Sequence, residues 1–131
     1  MSVGIQANMS FLKGQTPQIS QVKSAAYTMT AADSGIVTFV DSSAGAVTIT
    51  LPAVAVGLQS TYTLVAYASS ANAINVSPNA VDKIVGLGAA PADDKDRILA
   101  APHIGDYMIL SGSDAAGYFI SQAVGGWTVQ P

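Results

Sequence analysis

The chain has 131 residues, half of them hydrophobic, which is enough for one domain with its own core. Only 10% of residues are charged, the net charge is −3 and there is no Cys, which excludes disulfides, thiolate metal sites and a cysteine nucleophile. No run reaches the roughly 18 apolar residues of a membrane helix, no basic start precedes an apolar run, and Lys13, Lys23, Lys83, Lys95 and Arg97 make no basic patch, so neither membrane, signal peptide nor nucleic-acid partner is expected.

Residues 1–25 read as an arm and linker. Residues 1–14 mix Val3, Ile5, Met9, Phe11 and Leu12 with small polar residues and show neither a helical nor a strand period. Residues 15–24 are polar, Gln-rich and hold Pro17. A purely solvated tail has no need of Phe11 and Leu12, whereas an arm that orders on a partner would use them.

Residues 26–131 read as a β-domain. The stretch AYTMTAADSGIVTFVDSSAGAVTITLPAVAVGLQSTYTLVAY organises it. Runs at 26–30, 36–41, 46–51 and 61–67 are rich in Val, Ile, Thr, Tyr and Phe, and Gly, Pro, Asp and Ser bound them, the pattern of strands joined by turns. In the third run Val47, Ile49 and Leu51 alternate with Ala46, Thr48 and Thr50, as in a half-buried antiparallel strand. Further strands are expected at 73–77, 82–86, 97–100, 107–111, 118–122 and 127–129, with a turn at Pro102–Asp106 and a hairpin loop at 112–117. Residues 91–96 fit a loop, although Pro91, Asp93 and Asp94 would also suit a first helical turn. Eight to ten short strands at this spacing predict an all-β sandwich or barrel. The lack of any Glu among eight acids agrees, since Asp favours turns where Glu favours helices.

The low charge has a second consequence. Ordinary soluble domains carry roughly 25% charged residues. Hydroxyls and amides can solvate a surface in their place, but coverage by partner subunits explains the deficit more directly.

Candidate chemistry is sparse. His103 is the single histidine, and nothing around it resembles a nucleophile elbow, so a turn residue is the simpler reading than a triad member. Asp93, Asp94 and Asp96 could begin a calcium loop, but Lys95 and Arg97 would partly neutralise them and the EF-hand spacing is absent. Trp127, Tyr118 and Tyr107 could stack on a sugar; closing one end of a sandwich core, or meeting a neighbouring subunit, is the reading favoured here.

Three parts of this sequence resemble a β-module of tailed-bacteriophage head decoration (cement) and head-fibre proteins, also found in some tail fibres. They are the strand entering Thr30-Ala31-Ala32-Asp33-Ser34-Gly35; the strand ending at Leu51-Pro52 with Gly57 and the Tyr62 strand; and Gly105-Asp106-Tyr107 with the hairpin and Gly126-Trp127 beyond it. The resemblance spans roughly residues 26–129. It implies a jelly-roll-like antiparallel β-sandwich, a homotrimer on the outer virion surface, and no enzyme activity. A short arm without a long fibrous region looks more like a decoration protein than a tail fibre. The expected partners are the major capsid protein and copies of the chain, with no metal or cofactor. Ile5, Met9, Phe11 and Leu12 are the candidate shell contacts, and the protein would be made in the host cytoplasm before joining the capsid exterior. The alternative is a receptor- or carbohydrate-binding domain of a tail fibre or spike.

Overall fold

The computed structural model describes residues 19–54, 59–88, 92–113 and 117–131. Strands form where β-branched and aromatic residues alternate with small polar ones. In chain order they are β1 (Ser20–Lys23), β2 (Tyr27–Thr28), β3 (Val37–Val40), β4 (Val47–Thr50), β5 (Thr61–Ala66), β6 (Ile74–Ser77), β7 (Lys83–Val85), β8 (Arg97–Leu99), β9 (Tyr107–Ser113), β10 (Gly117–Val124) and β11 (Trp127–Val129). A 3₁₀ turn, Ala31–Asp33, follows β2. All ten expected runs contain a strand. The eleventh, β1, lies inside the stretch expected to be linker, so the domain begins before residue 26.

Two sheets form the sandwich. One has the order β1-β3-β5-β9-β10-β7, the other β11-β8-β6-β4-β2. From β1 to β9 the chain changes sheet after every strand. Over β1 to β6 each return to a sheet runs in the same sense, so β1–β3, β3–β5, β2–β4 and β4–β6 are all parallel. A parallel pair needs a long crossover, usually a helix. Here a strand of the opposite sheet serves, so β1–β2, β3–β4 and β5–β6 stack as three two-strand coils. Antiparallel pairing holds for β5–β9, β9–β10, β6–β8 and β8–β11, and β7 joins β10 in parallel.

The all-β sandwich is as expected; the ladders are mixed where an antiparallel set was expected, and β4 has parallel neighbours on both sides. The reason is geometric. Half-buried alternation usually marks antiparallel sheets because helices cover both faces of most parallel ones. In this sandwich each sheet covers only one face of the other, so its parallel strands alternate too.

The core lies between the sheets. Val47, Ile49, Leu51, Ile74, Val76 and Leu99 from one sheet meet Val40, Tyr62, Leu64, Met108, Leu110 and Tyr118 from the other, all but fully buried. Each such side chain contributes about 1.5–3 kcal/mol relative to exposure. Tyr62 and Tyr118 meet edge to face at 5.9 Å, and the Tyr118 hydroxyl donates to the Pro52 carbonyl at 2.8 Å.

Candidate functional surfaces

β1 is polar (Ser-Gln-Val-Lys) yet it pairs with β3 along its whole length. What fastens it is Asp33. This buried carboxylate accepts from the Gln21 amide (3.0 Å), the Tyr27 hydroxyl (2.8 Å), the Thr30 N–H (2.8 Å) and the Thr30 hydroxyl (3.2 Å). Burial pushes its pKa up, but the bonds from Thr30, Tyr27 and Gln21 outweigh burial and hold it below the ordinary carboxylate value. Gln21 also donates to Thr38, and Lys23 stands 3.9 Å above the Tyr27 ring. The Thr30-x-x-Asp33 spacing of a capping box was the signal in the sequence for this knot.

Arg97 does not neutralise the Asp93–Asp96 cluster as expected. It turns into the sandwich, 1% exposed, and donates to the carbonyls of Ile84 and Gly86 at the β7 edge of the other sheet. Its position in strand β8 decides this: Arg97 and Leu99 share the inward face. Asp93 pairs instead with Lys83. Lys95 reaches the Pro131 carbonyl, and the Asp96 backbone exchanges bonds with Gln130. Of the three, Asp93 is engaged through its carboxylate and Asp96 through its backbone, and among the described residues no group of His, Cys, Asp or Glu is placed to hold a metal ion.

His103 sits in a turn, its side chain 82% exposed, with Nδ1 3.8 Å from the Asp106 carboxylate. Asp106 also accepts from the His103 backbone N–H, so it closes the turn. Trp127 packs against the core and donates its ring N–H to the carbonyls of Tyr107 and Val124. Tyr118 is fully buried, and Tyr107 lies on the outside of the six-stranded sheet. Of the three sequence candidates for sugar stacking, Tyr118 is thus shut inside the core, and Trp127 lies against the Tyr107 backbone. Ile5, Met9, Phe11 and Leu12 lie outside the described residues.

The two outer faces of the sandwich differ in kind. On the five-stranded sheet the outward residues run Thr28, Thr50 and Ser77 in one row and Thr48, Asn75, Ile98 and Thr128 in the next. On the six-stranded sheet, cross-strand register aligns Val22, Phe39, Val65, Tyr107 and Val124 in one row over five strands. Beside it lie Ser20, Val37, Thr63, Ile109 and Gln122. Val22 is 49% exposed, Val124 48% and Phe119 43%, and Tyr67 meets the Phe39 ring edge-on at 5.9 Å. The row is visible only through the register, since its members come from five separate strands.

No protein-family model matches this sequence, and no curated protein matches it.

Proposed function

We propose that this protein is a structural component of a tailed-bacteriophage virion, a homotrimeric decoration protein seated on the outside of the assembled head. The reading rests on the three resembling stretches, and one observation carries it: a sandwich with 10% charged residues sets a row of apolar side chains across five strands on the outside of its six-stranded sheet. A surface of that kind suits a protein that works while covered by others.

The work is mechanical. A decoration protein that binds the assembled shell and not its separate subunits shifts the equilibrium toward the shell by mass action. A trimer that engages three equivalent sites gains from effective concentration, so modest single contacts hold firmly. The residues assigned to the major capsid protein are Ile5, Met9, Phe11 and Leu12 of the arm. Purified protein should co-sediment with capsids, and deletion of residues 1–14 should leave a folded oligomer that no longer does. A truncated protein that still saturates capsids overturns the assignment to the arm; full-length protein that never binds capsids overturns the function.

A further inference from the structure

Of the eleven strands among the described residues, β1 alone adds no side chain to the apolar core. Even the edge strands of the other sheet, β2 and β11, set Tyr27 and Trp127 against that core, and β7 gives it Ile84. None of the four β1 residues is buried, and Val22, the one apolar member, faces outward at 49% exposure. Exposed Ser24, Ala25 and Ala26 separate β1 from β2. Hydrogen bonds and one cation over a ring join it to the body. The Val37 N–H donates to the Ile19 carbonyl at 3.1 Å, and the Asp41 N–H to the Lys23 carbonyl at 2.9 Å. The Gln21 amide donates to Asp33 and to the Thr38 hydroxyl, at 3.0 Å each, and the Lys23 ammonium rests on the Tyr27 ring.

We propose that β1 is a detachable strap, which lifts from β3 as a unit while the two sheets stay closed. Three observations favour its release before the body opens. Lifting β1 carries no buried apolar side chain into water, and that burial is what holds the other strands in place. Nor does it leave the buried carboxylate bare. Asp33 keeps the Tyr27 hydroxyl, the Thr30 N–H and the Thr30 hydroxyl when Gln21 leaves, and the freed groups of β1 and of the β3 edge meet water instead. Finally, β3 is anchored without β1: it stays paired with β5 along Val37–Val40, and Val40 stays in the core. The consequence is reach. Once β1 lifts, residues 19–26 join the arm and extend it by up to about 25–30 Å. The strap thus sets how far the arm stretches from the sandwich. It goes beyond the function proposed above and needs no particular partner for the arm.

Native-state hydrogen exchange on the full-length protein tests this. The Val37 and Asp41 amides, bonded to β1, should exchange at least about 100-fold faster than those of Val47 and Leu51, which are bonded to the Ala73 and Ser77 carbonyls. Below the unfolding transition, urea should leave the first pair unchanged, because little surface opens with β1, while the second pair follows global unfolding. The absence of native Cys allows a second measurement. Thr38 is fully buried and pairs with Gln21, so Thr38→Cys places the sole thiol under the strap. In the folded variant that thiol should react with a maleimide at a rate independent of low urea. Val47→Cys, at a fully buried position of β4, should react only as fast as the body unfolds. If Thr38→Cys fails to fold, exchange on the wild type alone decides. The proposal is overturned if Val37 and Asp41 share the protection or the urea dependence of Val47 and Leu51, or if folded Thr38→Cys reacts no faster than Val47→Cys.

Discussion

At Asp33 one carboxylate takes four hydrogen bonds from β1, β2 and the residue that caps the 3₁₀ turn. Its depressed pKa carries a pH dependence with a definite sign. The folded state holds the carboxylate more acidic than the unfolded chain, whose value is near 3.9, so the stabilisation is complete above that pH. It is lost as pH falls below about 4 and through the folded value. Urea midpoints measured on acidification should therefore drop, and Asp33→Asn should flatten that part of the profile. Exposed Asp41, whose pKa the Ser43 bonds also lower, acts in the same direction in both proteins and cancels in the comparison. At neutral pH Asp33→Asn should cost about 1–3 kcal/mol, because the neutral amide cannot satisfy all four donors. Tyr118→Phe tests a simpler contact: it strands the Pro52 carbonyl and should cost about 1–2 kcal/mol in the same measurement. The Thr30–Asp33 spacing could be read in the sequence, but Gln21 as a partner could not, because twelve residues separate it from Asp33.

Among the elements, strand positions were legible and strand directions were not. Period-two alternation places Val47, Ile49 and Leu51 on one face whichever way the neighbour runs, so it marks a strand without orienting it. β1 escaped notice because it has one apolar residue, Val22, and draws its support from a ladder and from Gln21. Two positions show where elements depend on single residues. Gly117 opens β10 at φ 120°, and a Cβ there would lie 2.2 Å from the Lys83 carbonyl oxygen. Gly117→Ala should lower stability by at least about 2 kcal/mol and loosen β7, which hydrogen exchange on β7 would report. Arg97 links β8 to the β7 edge across the sandwich. Arg97→Ala removes both hydrogen bonds and leaves a void, and the thermal midpoint should fall with a loss of about 2 kcal/mol or more. That Arg97 faces inward follows from strand phase; the neighbouring Asp run suggested the opposite.

For the whole molecule, the sandwich architecture follows from its strand spacing, while the apolar row across the outside of the six-stranded sheet emerges only when its strands are set in register. The stacked coils bear on how the protein withstands pulling. Among the described strands β1 ends the order of the six-stranded sheet and is held along four paired positions parallel to β3. A tug on Ile19 along the strand loads every rung of that ladder at once, whereas a tug across the sheet peels the rungs off singly. A tether leaving this corner in line with β1 would bear far more force before rupture than one leaving at right angles.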